Sequence, residues 1–343
     1  MIHKSYKPVL KGMIQSLNRI NINVDKFVPE SDFVKNRSVD TVIKKLKDSE
    51  HCGKEEGAYF LDMQPFGIKG RNTNFYFLRK DGTTLYATRD IAYHIWKAEN
   101  SDLLINILGE DHKLESRQVK IALELMGVKN IPKVVFYSFV SLPGGKMSTR
   151  KARVVYLDDL IDECVKRALI EVKKRRGAEL NLKQMKEISE IIGIGAVRFN
   201  IIKVQPEKDI VFKWEEALSF EGNSSPFIQY SNARACSILN KNSEDFEDFN
   251  SKYLTHDSEI NLIKKISDLP IIINEAAEGF KPHIIASFLF ELASLFNQFY
   301  RDCPVLPEKD KELRKARIAL VDATRISLNN GLDLLGIKSP KEM

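Results

Sequence analysis

Long apolar runs are missing from this chain of 343 residues. No stretch approaches the roughly 20 apolar residues that a membrane-spanning helix needs, and the opening residues lack the apolar core of a signal peptide. Cysteine is scarce, and the four present are far apart, in no spacing typical of a metal site: Cys52, Cys164, Cys236 and Cys303. These absences argue against a membrane span and a disulfide framework, and they predict a cytoplasmic protein with reduced thiols.

The composition sets wider bounds on size and partners. Hydrophobic residues make up 43% of the chain, which is enough for two domains with cores of their own. The net charge of +6 is mildly basic, so it permits a nucleic-acid partner without requiring one.

Residues 61–150 alternate strand and helix patterns. Strands are predicted at 74–78, 103–108 and 134–140, and helices at 88–97 and 115–126. The order and the short connections predict a parallel sheet in an α/β domain, with the last two strands buried. Ligands of such sheets bind in the loops that follow strand C-termini. Three candidate segments lie there: 86–90, 109–112 and 146–150.

The rest of the chain is predicted to be mainly helical. Residues 1–60 are mixed, and 151–215 are largely helical. From 226 to the end, apolar residues recur at the spacing of a helical bundle. The sharpest change of composition lies at 222–226, where Ser225 is the predicted N-cap of the next helix.

The loop after the strand at 134–140 carries cations and hydroxyl groups without a nearby carboxylate. Pro143, Gly144 and Gly145 interrupt regular structure, and Lys146, Ser148, Thr149 and Arg150 follow. Such donors suit a polyphosphate, although a basic surface loop is the alternative. The string Lys146-Met147-Ser148-Thr149-Arg150 resembles the Lys-Met-Ser-Lys-Ser signature of class I aminoacyl-tRNA synthetases, in the form found in arginyl-tRNA synthetases.

Tyr86 and Asp90 are four residues apart, so they share one face if a helix begins by residue 86. A carboxylate beside a phenol suits a guanidinium, whereas an internal salt bridge from Asp90 to Arg89 or Lys97 is the alternative. The segment 82–90 resembles the arginine-recognising segment of arginyl-tRNA synthetases. That resemblance implies that Tyr86 and Asp90 contact the guanidinium and that Gln118 is the glutamine of the arginine site.

Gly109, Asp111 and His112 follow the second predicted strand. Glycine lets another group approach the backbone closely. The alternative is a polar turn in which Asp111 caps the next helix. The family resemblance places Gly109 against the nucleotide. It implies an ATP site with these members: Gly109, Asp111, His112, Lys146, Met147 and Ser148.

Phe227, Tyr230 and Arg234 fall on one helical face just after the boundary. Aromatic rings interleaved with arginine can stack unpaired bases, although a stripe facing the core is commoner. The segment 226–234 resembles the start of the anticodon-binding domain of arginyl-tRNA synthetases. That likeness implies that these three residues and Met343 contact tRNA.

The resemblance runs over nearly the whole chain and is nearest to the archaeal-type enzymes. It implies a partial α/β class I nucleotide-binding (Rossmann-like) domain followed by an all-α helical bundle. The implied segments are 1–60, a remnant of the insertion in the nucleotide fold; 61–150, the second half of the catalytic domain; 151–225, a helical stem; and 226–343, the anticodon-binding bundle. Two small departures are Ala152, where the family usually has Gly, and Asn232, where it often has His.

The implied activity is ATP-dependent attachment of arginine to its tRNA, with Lys146 and Ser148 stabilising the leaving pyrophosphate. Mg²⁺ would accompany ATP as the substrate complex, with no metal bound by the protein itself. None of the six histidines forms the His-x-Gly-His signature of class I synthetases. We therefore expect the C-terminal part of such an enzyme, with a second polypeptide as a candidate partner. The alternatives are a non-catalytic tRNA-binding remnant or paralogue, and one half of a split synthetase.

Overall fold

The structure is a computed structural model that describes residues 2–70, 73–143 and 156–343. It divides into two compact units, one of residues 24–139 and one of residues 1–23 with 140–343. The loop predicted to contact phosphate falls outside the described residues, and so do the residues named there: Lys146, Met147, Ser148, Thr149, Arg150 and Ala152.

The unit of residues 24–139 packs short helices on two small sheets. The chain begins with α1 (Ile2–Arg19), which belongs to the other unit. The helices of residues 24–139 are α2 (Glu30–Lys35), α3 (Ser38–Lys47), α4 (Tyr86–Asn100) and α5 (Lys113–Leu125). The strands are β1 (Cys52–Glu55), β2 (Ala58–Asp62), β3 (Asn74–Leu78), β4 (Ile105–Gly109) and β5 (Lys133–Tyr137). Both helices predicted between residues 86 and 126 are confirmed, with ends that differ by a few residues.

The sheet pairing differs from the predicted parallel sheet of three strands. β1, β2 and β3 form an antiparallel sheet in that order, while β4 and β5 pair with each other in parallel. The expectation that β3 shares the sheet of β4 and β5 is therefore wrong. The chain turns back between β2 and β3, so these strands pair antiparallel, whereas the crossover through α5 returns the chain so that β4 and β5 run the same way.

The expectation of a buried strand at 103–108 is also wrong. Ile105 and Ile107 lie on one face of β4 and are 42% and 68% exposed. Asn106 and Leu108 alternate with them and line a cavity. An apolar run shows that a strand could be buried on both faces. In residues 24–139, however, the face that carries Ile105 and Ile107 is left open, and both side chains remain exposed to solvent.

The second unit is almost entirely helical. The predicted strand at 134–140 divides, because β5 ends at Tyr137 and β6 (Val140–Ser141) pairs instead with β7 (Ile210–Val211). The helices are α6 (Leu157–Arg176), α7 (Leu182–Ile202), α8 (Trp214–Ala217), α9 (Ser225–Lys241), α10 (Asp257–Ser267), α11 (Leu269–Gly279), α12 (Pro282–Asp302) and α13 (Lys311–Leu334). Among the described residues, no helix is both long and apolar enough to cross a membrane.

Gly193 lies inside α7, which runs unbroken through it. A Cβ atom at this position would lie 2.8 Å from the backbone nitrogen and Cα of Val165 on α6. The glycine therefore allows α6 and α7 to approach backbone to backbone, a contact that outweighs its weak helix propensity.

The predicted helical bundle at the end of the chain is confirmed. The apolar faces of α12 and α13 meet in one core, whose fully buried members include Phe296, Phe299, Val321, Leu328 and Leu332. The predicted cap of α9 is displaced by one residue. Ser224 is the N-cap, and its Oγ accepts a bond of 3.4 Å from the backbone N–H of Phe227, while Ser225 is the first helical residue.

Candidate active site and nucleic-acid interface

Tyr86 and Asp90 occupy the first two turns of α4, which begins at Tyr86, so the condition for a shared face is met. Both line one cavity of about 700 Å³ in residues 24–139, and His112 lines the same cavity. The Tyr86 side chain is 74% exposed, so its ring and hydroxyl are available to a ligand. The structure therefore brings His112 to the same cavity as Tyr86 and Asp90, although it lies 22 or more residues further along the chain.

The salt bridge that was the alternative role of Asp90 does not form within the described part of the chain. The Arg89 guanidinium pairs with Glu30 of α2 and donates 3.0 Å and 3.2 Å bonds to Thr84. It also lies 4.9 Å from the centroid of the Tyr86 ring. Lys97 instead donates to Asn106 Oδ1 at 2.9 Å. The Asp90 carboxylate is thus left available for a cation from outside the chain.

Gln118 is buried on α5 and is 8% exposed. It lines a second cavity of about 450 Å³, to which Leu85 and Tyr86 also contribute. Tyr86 is therefore common to both cavities, between Asp90 on one and Gln118 on the other.

Gly109 ends β4, and a single 3-10 turn (Glu110–His112) joins it to α5. A Cβ atom at Gly109 would lie 2.5 Å from Asp111 Oδ1, so the glycine makes room for that carboxylate. The N-cap of α5 is His112, without a side-chain cap bond, so Asp111 does not cap the helix.

Among the described members of the predicted nucleotide site, His112 has a shifted pKa. Its Nδ1 lies 2.9 Å from Glu115 Oε2, and its Nε2 lies 3.9 Å from Asp111 Oδ2. The hydrogen bond to Glu115 raises the pKa of His112, and the negative charge of Asp111 acts in the same direction. When this ring carries its second proton, it can donate a hydrogen bond to an anionic ligand at the cavity edge.

The polar residues that line this cavity without having been predicted include Glu30, His94 and Asn106. Lys97 reaches it through its bond to Asn106. His94 lies one helical turn beyond Asp90, and that spacing is the only sequence signal that could have indicated it. Within the described residues, no group of three His, Cys, Asp or Glu side chains could hold a metal ion.

The second unit contains a groove of about 820 Å³ on the bundle side, lined in part by Tyr230, Arg234 and Met343. The Arg234 guanidinium lies 4.9 Å from the ring centroids of both Tyr230 and Tyr300. It also donates to Asn297 Oδ1 at 2.5 Å. The cation is therefore held between two aromatic rings, and Tyr300 is a groove residue for which no role was predicted.

Phe227 is placed apart from that groove. It is half-buried and packs on the bundle core, with its ring centroid 5.4 Å from that of Phe290. Of the four residues predicted to contact tRNA, the structure thus gathers Tyr230, Arg234 and Met343 around one groove, and Phe227 lies outside it.

The C-terminal segment 335–343 is tied to the helices by bonds to its backbone carbonyls. Arg198 Nη2 donates to Leu335 O at 2.7 Å. Gln229 Nε2 donates to Lys338 O at 2.8 Å, and Asn232 Nδ2 donates to Pro340 O at 3.2 Å. Arg176 donates to Met343 O. These bonds place Met343 and Lys341 at the groove.

Comparison with known proteins decides the family. The family described as "tRNA synthetases class I (R), catalytic domain" matches residues 2–214. The chain belongs to the arginyl-tRNA synthetase family. The DALR anticodon-binding domain matches residues 228–343, so the two matches together span nearly all of the chain. The expected fold, a class I catalytic region followed by a helical bundle, is confirmed.

Several curated arginine–tRNA ligases of archaea are similar to this chain. The ligase of Methanocella arvoryzae is 48% identical over 97% of this chain and 58% of its own length. That of Methanocaldococcus jannaschii is 46% identical over 97% of this chain and 57% of its own length. The chain thus spans less than two thirds of the curated arginyl-tRNA synthetases that it matches.

Solved structures agree with the fold. The arginyl-tRNA synthetase of Thermus thermophilus superposes with a TM-score of 0.89 at 28% identity, over 100% of this chain and 64% of that one. The Plasmodium falciparum enzyme gives a TM-score of 0.82 at 23% identity, over 99% of this chain and 58% of that one.

Proposed function

We propose that this chain carries the arginine site, part of the ATP site and the anticodon-binding surface of an arginine–tRNA ligase of the cytoplasm. The observation that carries the proposal is the Asp90 carboxylate beside Tyr86, on a shared cavity, with Arg89 and Lys97 bound elsewhere. A carboxylate without a lysine or arginine partner among the described residues, next to a phenol, is chemically matched to a guanidinium.

Three residues are proposed to bind arginine. Asp90 would accept hydrogen bonds from the guanidinium, Tyr86 would offer its hydroxyl group and ring, and Gln118 would act from the adjoining cavity. Arg89 would help to fix the Tyr86 ring in place. Its guanidinium lies over the ring and is itself paired with Glu30.

The nucleotide site is proposed to include Gly109, Asp111 and His112, with Lys146, Met147 and Ser148 from the segment outside the described residues. In the first step the arginine carboxylate would attack the α-phosphorus of ATP, and the bond to pyrophosphate would break. In the second, a ribose hydroxyl of the tRNA end would attack the acyl carbonyl and release AMP. Mg²⁺ would enter with ATP. Positioning and electrostatic stabilisation would supply most of the catalysis.

The tRNA partner is proposed to meet residues 226–343, the predicted anticodon-binding bundle, which follow a stem at 151–225. The segments 1–60 and 61–150 remain the proposed insertion remnant and catalytic half. Tyr230 and Arg234 would stack and hold bases in the groove, with Met343 beside them. Phe227, packed on the core, would act through the position of α9.

The second candidate function is tRNA binding without ligation. It is favoured by one observation: the groove between Tyr230 and Tyr300 is built within its own unit and needs no residue of 24–139. A second polypeptide as partner has no support in the comparisons, in which the relatives named above match 97% of this chain.

The test is calorimetric titration of the chain with arginine and with citrulline, its uncharged isostere. Asp90→Asn should weaken arginine binding by about 2 kcal/mol, because a charge-assisted bond becomes a neutral one. The variant should bring arginine and citrulline close together in affinity. Equal affinity of the unaltered chain for both ligands would overturn the arginine site, and tRNA binding would then favour the second candidate.

A further inference from the structure

His94 is a buried histidine, 4% exposed, next to the proposed arginine site. It lies on α4 one turn after Asp90, and both ring nitrogens have partners. Its Nδ1 lies 2.7 Å from the backbone oxygen of Asp90, and its Nε2 lies 2.7 Å from Nδ2 of Asn106 on β4. Neither His94 nor Asn106 belongs to the ligand-contacting set proposed above.

Lys97 determines which way the Asn106 amide faces. The ammonium group can only donate hydrogen bonds, so the amide atom 2.9 Å from Lys97 Nζ must be the oxygen Oδ1. The amide nitrogen then has to face His94. Lys97 is held there by the Tyr93 ring, whose centroid is 4.4 Å from Nζ.

The Asn106 amide in turn determines the tautomer of His94. Because Asn106 Nδ2 donates, His94 Nε2 must accept, and in a neutral ring the proton is then on Nδ1. The Nδ1–H group points at Asp90, with the backbone oxygen at 2.7 Å and the carboxylate Oδ1 at 3.4 Å.

We propose that Asn106 and His94 are positioning residues for Asp90: the amide fixes the Nδ1–H tautomer, and that N–H group holds the Asp90 carboxylate toward the cavity. The proposal deepens the arginine site and rests on it. The opposite tautomer would aim a nitrogen lone pair at two oxygen atoms of Asp90 and push the carboxylate away from its place. The amide thus affects arginine binding indirectly, because it orients the imidazole and the imidazole in turn orients the carboxylate.

A buried histidine that bonds to the carbonyl four residues earlier often has only a structural role within its helix. Two contacts favour an additional positioning role for His94. The carboxylate of the same Asp90 lies within 3.4 Å of the donor nitrogen, and a lysine that burial partly desolvates, with its pKa lowered, is used to orient a neutral amide. A purely structural histidine needs neither.

The decisive variant is Asn106→Asp, which replaces a donor with an acceptor of the same shape. The new carboxylate can still pair with Lys97, so the fold is expected to persist. It cannot donate to His94, so in the neutral ring, at a pH above the imidazolium titration, the proton is expected to move from Nδ1 to Nε2. Nitrogen-15 NMR of histidine-labelled full chain distinguishes the two tautomers directly, without reference to activity.

Arginine titration completes the test. Asn106→Asp should weaken arginine binding about tenfold, the scale of one hydrogen bond to a charged group, with the melting temperature and ATP affinity little changed. His94→Gln keeps a donor for Asp90 and should retain affinity within about threefold, whereas His94→Leu should lose about tenfold. Ser116→Ala, another residue lining the cavity, serves as the control.

The outcomes separate the two proposals. If the unaltered chain binds arginine and Asn106→Asp shifts the proton but leaves arginine affinity intact, positioning by His94 is overturned and the arginine site stands. An Nε2–H tautomer in the unaltered chain also overturns it. If the unaltered chain discriminates no better for arginine than for citrulline, the arginine site itself fails, and this inference fails with it.

Discussion

At the scale of single residues, the candidate site depends on which charges are already paired. Arg89 forms an ion pair with Glu30, and Lys97 donates a hydrogen bond to Asn106. His112 is hydrogen-bonded to Glu115. Asp90 is left facing the cavity without a lysine or arginine partner among the described residues. The Asp90 carboxylate is therefore accessible to a cation that arrives with a ligand, and this pattern of pairing favours recognition of a cation.

His112 carries a prediction on pH. Its folded-state pKa is raised above the ordinary value of 6.5, first by the hydrogen bond to Glu115. The imidazolium is therefore fully formed below the ordinary pKa of histidine and is lost as the pH rises through the raised pKa. We expect ATP affinity to fall over the same interval if the imidazolium faces phosphate.

The measurement is a histidine NMR titration of the full chain, followed by ATP titrations across the same pH range. Glu115→Gln should move the His112 midpoint downward, and Asp111→Asn should move it less, because the hydrogen bond is the larger cause. A midpoint that is identical in the Glu115→Gln variant would contradict the assignment.

At the scale of elements, helix α9 lines the groove with one side and binds segment 335–343 with the other. One side presents Tyr230 and Arg234 to the groove. The other holds segment 335–343 through Gln229 and Asn232, whose side chains are 0% and 2% exposed. A displacement of this segment would therefore also displace Met343 and Lys341 from the groove.

Asn232→Ala should remove the bond to Pro340 O and loosen the end of the chain. We expect faster amide hydrogen exchange in residues 336–343 and tRNA binding weakened by about 0.5–1.5 kcal/mol, the value of one hydrogen bond. Asn232→His is the matched control, since an imidazole N–H can donate to the same carbonyl. If both variants bind tRNA as the unaltered chain does, the segment has no part in the groove.

At the scale of the whole molecule, net charge and its placement bear on the proposed binding of tRNA. The net charge of the chain is +6. Among the described residues, the groove is lined by the cations Arg176, Arg234, Lys241 and Lys341 and by one acidic side chain, Glu342. Cations that contact phosphate release counterions, so binding should weaken steadily as salt concentration rises.

We expect the logarithm of the tRNA association constant to fall linearly with the logarithm of KCl concentration. Lys341→Ala should reduce that slope by about 1, the contribution of a single phosphate contact. Lys264→Ala, which removes an exposed charge from α10 outside the groove, should lower affinity less. Equal slopes for Lys341→Ala and the unaltered chain would remove Lys341 from the interface.

The sequence alone determined what depends on local order. Tyr86 and Asp90 share a helical face because four residues make about one turn, and α12 and α13 were predictable from the period of their apolar residues. The family could also be predicted from short sequence motifs, because a motif is recognised from the order of its residues without knowledge of the fold. The roles of Lys146 and Ser148 stay predictions, because they lie outside the described residues.

Tertiary structure decided the partners that are distant in sequence. Nothing local indicates that β3 pairs with β2, that Glu30 binds Arg89 across 59 residues, or that Asn106 fixes the ring of His94. Tyr300 likewise meets Arg234 only because α12 packs on α9. The residues around each of these partners give no sequence signal for the contact. The contacts therefore become known only from the folded structure.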